Sequence, residues 1–380
     1  MVNQQNSNKE FDFKTLFRSG ILGVNPYSPG KPIEEVQREL GLTDIIKLAS
    51  NEDPQGPHPE VIKAIEVAAQ DINRYPDGSS YQLSNRLAEH LNVDPSMVLL
   101  GNGSNELLNM IVRGLISPGE NMVFAHPSFV VYGLAAAIHF ECGRAIPLDK
   151  NDRHDLPAMA GAVDDKTKLL MICNPNNPTG TYNTTKEVED LLQSIPSRVI
   201  VVLDEAYFEY AYADDYPDGI ELLKKYPNLV VARTFSKIHA LAGLRVGYAV
   251  GHSELITQLQ KTREPFNVNT LAQAAALAAL NLPEMVKERS LRNKTEGAWL
   301  AEQLTRLGFQ VVPSQGNFLF VRHAMAASEM CEKLLKKGVI IRPMNSFGLG
   351  DGALRITIGV KEENQKCVLA LESILEDFTG

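Results

Sequence analysis

Residues 198–207 read Arg198-Val-Ile-Val-Val-Leu-Asp-Glu-Ala-Tyr207, a continuous apolar run that ends in an acid. Such a run predicts a strand buried on both faces, as found in parallel sheets wrapped in helices. Its C-terminal end delivers Asp204, and ligands of open α/β sheets collect at that edge. Upstream, Lys168-Leu-Leu-Met-Ile-Cys-Asn-Pro-Asn-Asn-Pro-Thr-Gly180 predicts a second buried strand that breaks into a polar loop at the same edge. Downstream, Thr234-Phe-Ser-Lys-Ile-His-Ala-Leu-Ala-Gly-Leu-Arg245 sets Lys237 and Arg245 in an otherwise apolar or small-residue run. An ammonium there is costly to bury unless paired or neutralised, and desolvation lowers its pKa, which makes a lysine a carbonyl nucleophile. From this segment alone, Lys237 reads either as a Schiff-base lysine or as a snorkelling side chain beside a surface arginine.

Alternation of strand-like and helical patterns extends these runs into a sheet. Further strands are expected at Met97 to Leu100, Asn121 to Ala125, Leu229 to Ala232 and Val246 to Val250, giving a mostly parallel, helix-covered α/β layer. The pattern then changes. A long helix near Pro283 to Leu307 leads to short strands at Phe309 to Val312, Asn317 to Val321, Val339 to Ile341 and Leu354 to Ile358, with helices at Met325 to Lys337 and Glu362 to Glu376. These read as a smaller α+β domain. The expected division is a flexible arm over 1–25, a segment over 26–59 that joins the small domain, a large domain over 60–285, and the small domain over 286–380.

The chain of 380 residues, 44% hydrophobic and 22% charged, has the composition of an ordinary soluble protein large enough for two domains. A net charge of −9 disfavours nucleic acid or an anionic membrane as main partner, while leaving room for local basic pockets. The polar start, Met1-Val-Asn-Gln-Gln-Asn-Ser-Asn, lacks the apolar centre of a signal peptide, and the Ala-rich run Leu271 to Leu282 is expected as a buried helix. Cys142, Cys173, Cys331 and Cys367 have no paired spacing and are expected as reduced core thiols of a cytoplasmic protein. His58, His126, His239 and His252 show no metal-ligand spacing, so no metal is expected.

Gly101-Asn-Gly-Ser-Asn-Glu106 follows a predicted strand and precedes the helical run Leu107 to Ile116. Its backbone N–H groups suit an anion at a helix N-terminus, though a plain helix cap after a turn is also consistent. As a dinucleotide fingerprint it is poor, because Glu106 stands where the third glycine belongs.

Taken in order, Asn-Pro-Asn-Asn-Pro-Thr-Gly, Asp-Glu-Ala-Tyr and Ser-Lys with Ala-Gly-Leu-Arg resemble the fold-type I pyridoxal-phosphate aminotransferases of class II. Asn25-Pro-Tyr-Ser-Pro-Gly-Lys31, Arg74-Tyr-Pro-Asp77 and the spacing of Arg342 and Arg355 are most similar to the histidinol-phosphate aminotransferase family. The resemblance implies the following roles. Gly103, Ser104 and Asn105 hold the 5′-phosphate of pyridoxal 5′-phosphate, with Thr234, Ser236 and Arg245. Asp204 faces the pyridine nitrogen and raises its pKa, Asn177 and Tyr207 bond the ring's phenolic oxygen, and Phe129 stacks on the ring. Lys237 forms the Schiff base and shuttles the substrate proton. Tyr75 reaches the cofactor phosphate of a neighbouring subunit, which implies a homodimer with shared sites. Tyr27, Arg342 and Arg355 form one anion pocket for the phosphate of L-histidinol phosphate and a carboxylate of 2-oxoglutarate or glutamate. The implied reaction moves the amino group between these partners in histidine biosynthesis.

One departure stands out. The family often reads Asn-Glu-Asn-Pro-Tyr-Gly where this chain has Asn51-Glu-Asp-Pro-Gln-Gly56, which puts contacts at the mouth of the site in question. Aromatic amino-acid aminotransferases and threonine-phosphate decarboxylases share most of these motifs, so fold and cofactor do not settle the substrate. A non-catalytic regulator of the same fold would leave Lys237, Asp204 and Arg245 without a task, and a nicotinamide dehydrogenase fails to explain Lys237.

Overall fold

The computed structural model describes residues 12–26 and 30–379. In chain order its strands are β1 (Ile46–Lys47), β2 (Val98–Gly101), β3 (Asn121–His126), β4 (Gly143–Pro147), β5 (Thr167–Cys173), β6 (Ile200–Asp204), β7 (Leu229–Thr234), β8 (Gly247–Gly251), β9 (Gln310–Val312), β10 (Phe318–Arg322), β11 (Val339–Ile340), β12 (Arg342–Pro343) and β13 (Ala353–Thr357). Seven of them form one sheet in the order β2-β8-β7-β6-β5-β3-β4. Pairing within it is parallel except around β8, which runs antiparallel to both β2 and β7.

The apolar runs of β5, β6 and β7 are buried along almost their whole length, as expected for a sheet covered on both faces. One face packs Val201, Leu203, Val231 and Val250 against the helices Pro59–Ala68, Tyr81–Leu91 and Thr270–Ala279. The Ala-rich helix buries Ala272, Ala275, Ala276 and Ala279, so the run near Leu271 is a core helix. Helices Ser104–Leu115 and Val130–Ile138 cover the other face, over Leu169, Met171, Val202 and Val230. Strand β4 went unpredicted because it is an edge strand, exposed and half-buried in alternation, with no continuous apolar run.

A second core joins Ile46 and Leu48 to Leu300, Leu304, Leu319, Leu354, Leu371 and Ile374. It lies against an antiparallel sheet of order β12-β13-β10-β9 and a short parallel pair of β1 with β11. The run Val339 to Ile341, expected as one strand, splits: β11 pairs with β1, and after Ile341 the chain switches sheets to pair as β12 with β13. Pro343 lacks a ladder donor, which suits β12 to the sheet edge it occupies. The arm expected over 1–25 falls partly outside the described residues. Within its described part, Ser19–Leu22 is a short helix against Val130–Ile138, and Ser19 Oγ donates to Glu141. Among the described residues no helix is long and apolar enough to cross a membrane.

Candidate active site

The parallel strands end together. Cys173 of β5 is level with Asp204 of β6, Asp204 with Ala232 of β7, and Thr234 of β7 with Gly247 of β8, which is in turn level with Gly101 of β2. The register therefore gathers the loops after β2, β5, β6 and β7 along one edge.

On the β2 side, Gly103 has φ +76° and caps the helix Ser104–Leu115. Its freedom is required here: a Cβ at Gly103 would lie 2.4 Å from Nη2 of Arg245, and one at Gly247 would lie 2.8 Å from the Ser104 amide nitrogen. The Arg245 guanidinium thus lies against the backbone at the helix start. Its Nη1 donates to Ala242 O at 3.0 Å and to Ser236 Oγ at 3.4 Å, and Thr234 Oγ1 donates to Ser236 Oγ at 3.0 Å. Free amides of a helix N-terminus, one guanidinium and two hydroxyls form a cup suited to a dianion. Asn105 sits in the first turn of the same helix.

In the middle of the edge, Asp204 is 1% exposed. Tyr132 donates to its Oδ2 at 2.8 Å, and the Ala206 amide donates to its Oδ1 at 3.2 Å. Burial dominates and raises the carboxyl to about 6, with the Tyr132 and Ala206 hydrogen bonds and the charge of Lys237 opposing. Phe129 meets Tyr132 edge to face at 5.8 Å, which places the aromatic beside the acid's own partner.

Lys237 follows β7 and directs Nζ toward Ser50 O, at 3.4 Å, and over the ring of Tyr207, at 5.6 Å. Desolvation first, then the charges of Arg355 and Arg245, lower its pKa to about 8, against the pull of Glu52 and Asp204. A snorkelling lysine in bulk solvent would show no such depression. The Tyr207 hydroxyl accepts from Asn51 Nδ2 at 3.0 Å and Asn177 Nδ2 at 3.2 Å, and burial raises its pKa, so it remains a neutral O–H donor. Asn177 Oδ1 in turn accepts from Arg355 Nη1 at 2.6 Å, while Arg355 Nη2 donates to Ala49 O at 2.7 Å.

Arg355 of β13 is the direct cross-strand partner of Arg342 of β12. Residues so opposed share a face with Cβ atoms about 5 Å apart. Arg342 Nη1 lies 4.0 Å from where a Cβ at Gly30 would stand, which brings the segment after residue 29 to the same place. Tyr27 itself lies outside the described residues. Tyr75 stands apart in the single chain, 81% exposed and stacked on Phe266 at 4.6 Å. Cys173 is buried, its Sγ donates to Pro175 O at 3.4 Å, and desolvation pushes its thiol up to about 12, which marks it as packing.

Two participants escaped the sequence reading. Tyr132 was legible in principle: it carries the hydroxyl of an otherwise apolar helix, and a buried tyrosine O–H needs a partner. Asn51 gave no such signal, because its contact with Tyr207 depends on a long-range approach of the N-terminal segment.

A family model for aminotransferase class I and II matches residues 43–371. The chain belongs to this family. It is 45% identical over 363 residues to histidinol-phosphate aminotransferase 2 of Carboxydothermus hydrogenoformans, covering 95% of this chain and 99% of the relative. It is 46% identical over 360 residues to the histidinol-phosphate aminotransferase of Moorella thermoacetica, covering 94% and 92%. Among solved structures, histidinol-phosphate aminotransferase of Sinorhizobium meliloti in complex with pyridoxal-5′-phosphate superposes with a TM-score of 0.86 at 29% identity, covering 97% of this chain and 99% of that one. The aminotransferase fold expected from the three ordered motifs is therefore the fold of this chain.

Proposed function

We propose that this aminotransferase moves the amino group of L-histidinol phosphate to 2-oxoglutarate, giving imidazole-acetol phosphate and L-glutamate, with pyridoxal 5′-phosphate bound at the strand edge. The observation that carries the cofactor reading is the placement of Lys237, with its pKa lowered to about 8, between a buried Asp204 and an anion cup at a helix N-terminus. The close approach of the Arg245 guanidinium to the backbone at Gly103, with Ser236 and Thr234 beside it, fits a phosphate monoester. Bound there, the cofactor supplies a carbonyl that condenses with amines and a ring that accepts electrons from the amino-bearing carbon.

The chain supplies the rest. Gly103, Ser104, Asn105, Thr234, Ser236 and Arg245 would hold the phosphate, and Phe129 would pack against the ring. Asp204 would supply fixed negative charge to the ring nitrogen, and Tyr207, held by Asn51 and Asn177, would donate its O–H to the phenolic oxygen. The Nζ of Lys237 is partly unprotonated near neutral pH, so it would hold the cofactor through its carbonyl carbon and would take and return the proton of the substrate carbon. Tyr75, exposed in one chain, completes the phosphate site of a second copy, making the active unit a homodimer.

Arg342 and Arg355 carry the substrate reading. Like charges directly opposite on a sheet are unfavourable, and an anionic group offsets that repulsion. The arginine fork accepts phosphate and carboxylate alike, so one pocket, with Tyr27 at its side, serves both half-reactions. Relatives bearing the histidinol-phosphate name at 45% and 46% identity across nearly the whole chain support this donor. The large domain of 60–285 carries the cofactor, and the small domain of 26–59 and 286–380 carries the two arginines, in a cytoplasmic enzyme of histidine biosynthesis. Single-turnover spectra of the loaded enzyme with histidinol phosphate, phenylalanine and threonine phosphate, offered separately, test it. Rapid loss of the visible absorbance with histidinol phosphate is expected; faster reaction with either of the others overturns the assignment.

A further inference from the structure

Asp53 does not face the mouth of the site. Its side chain is fully buried between two arginines of the long helix Pro283–Arg306. Arg292 Nη2 lies 2.8 Å from Oδ2, Arg289 Nη1 lies 3.6 Å from Oδ1, and the Tyr210 hydroxyl lies 3.4 Å from Oδ2. Arg289 is itself 4% exposed and does more than neutralise the acid. Its Nη1 donates to Ile238 O at 2.9 Å, and its Nη2 donates to Gly56 O at 2.5 Å. One guanidinium therefore joins the segment 49–56 to the peptide that follows Lys237.

That segment meets the reacting groups at several points. Ala49 O accepts from Arg355, Ser50 O accepts from Lys237, and Asn51 donates to Tyr207. Asn51 is fixed in turn: its amide donates to Thr357 Oγ1 at 2.9 Å, its carbonyl accepts from Asn317 Nδ2 at 3.0 Å, and it holds φ +54°. Asparagine tolerates the left-handed region, and these bonds fix that conformation at this position. Upstream of Asn51 the holding comes from β13 and the start of β10; downstream it comes from the Asp53 ion pairs and from Arg289 on Gly56.

We propose that Asp53, clamped by Arg289 and Arg292, is a positioning residue that fixes segment 49–56 against the Lys237–Ile238 peptide, so that Ser50 O and Asn51 are held at Lys237 and Tyr207. The clamp acts through backbone and amide contacts and touches no substrate. Its link to turnover rests on the function proposed above; its mechanical part does not. Buried charge is costly to leave unpaired, so removing the acid loosens both arginines together, and Arg289 is the one that holds two loops.

Hydrogen exchange of the cofactor-free chain tests the clamp without any assumption about the reaction. In Asp53→Asn, amides of 50–56 and 238–241 are expected to exchange about tenfold faster or more, with β5 and β6 unchanged. Arg292→Gln breaks the shorter pair at the less buried partner and gives the same pattern should Asp53→Asn fold poorly. Asp152→Asn, which breaks the two-bond pair with Arg322 elsewhere, controls for general loss of stability and leaves both segments at native rates. Native exchange in the two segments of either test variant, or equal loosening in the control, overturns the proposal. With cofactor and substrates, Asp53→Asn lowers kcat by about tenfold or more while KM moves little, as for a misplaced reacting group. A lowered kcat with native exchange assigns the effect to charge and sinks the clamp; loosened segments with native kcat sink its role in positioning Lys237.

Discussion

The phenol of Tyr132, on the helix Val130–Ile138, donates to Oδ2 of Asp204 at 2.8 Å, and both groups are buried. Burial alone would favour a protonated carboxyl; the phenol works against it by bonding the charged form. Hydrogen bonds to charged groups contribute about 1.5–3 kcal/mol. Tyr132→Phe is therefore expected to raise the Asp204 pKa, lower kcat by about tenfold, the equivalent of 1.4 kcal/mol, and move the acid limb of the rate profile upward. A native kcat with an unmoved acid limb would reduce Tyr132 to a space-filling role.

Opposite shifts at Asp204 and Lys237 contribute opposite limbs to the pH dependence of the cofactor-free fold. Asp204 titrates at about 6 when folded against 3.8 for an ordinary aspartate, so the folded chain binds the extra proton between those values and stability falls as pH rises from about 4 to 6. Lys237 titrates at about 8 when folded against 10.5 for an ordinary lysine, so the unfolded chain binds the extra proton and stability rises from about pH 8 to 10.5. Each limb spans a few kcal/mol at most, because a tenfold change in proton affinity is equivalent to about 1.4 kcal/mol. Urea unfolding across pH should show Asp204→Asn with a shallower acidic limb, the remainder belonging to buried Glu205, and Lys237→Met with a shallower basic one. A limb of unchanged slope in its variant would assign it wholly to other groups.

The large sheet was readable because its strands are buried on both faces, and a continuous apolar run such as Val199 to Leu203 leaves few other structures open. The exposed edge strand β4 lacks that signature. Asp204, Lys237 and Arg245 were readable because charges inside apolar runs need a reason. Tyr132 was legible only as a buried hydroxyl in need of a partner, and Asn51 not at all, since its contact with Tyr207 lies 156 residues away in sequence. The role of Asp53 stayed open in the sequence, because its partners Arg289 and Arg292 lie on a helix more than 230 residues away.

The phosphate cup stands on its own contacts, separate from the reactive amine. Arg245 is held by Ala242 O and Ser236 Oγ, neither of which involves Lys237. Lys237→Ala should abolish turnover while pyridoxal 5′-phosphate still binds and is displaced competitively by inorganic phosphate. Arg245→Ala should show the converse: the amine at 237 remains, but cofactor affinity falls about tenfold to a hundredfold with the loss of a charge-assisted contact. Isothermal titration of both variants separates the two functions; loss of all binding in Lys237→Ala would show that the cup is not independent.

Arg355 tunes the site by charge as well as by contact. After burial, its positive charge is the largest influence lowering the Lys237 pKa, and its Nη1 holds Asn177, which holds Tyr207. Arg355→Lys keeps the charge but loses the fork that reaches Asn177 and Ala49 together. It is expected to raise KM for both the amino donor and 2-oxoglutarate, with kcat/KM falling about a hundredfold, or about 2.7 kcal/mol. Arg355→Gln removes the charge, so Lys237 becomes more basic and the alkaline side of the rate profile shifts upward in addition. If only one of the two substrates suffers in Arg355→Lys, the shared anion pocket is wrong; if the profile of Arg355→Gln matches that of Arg355→Lys, the electrostatic link to Lys237 is wrong.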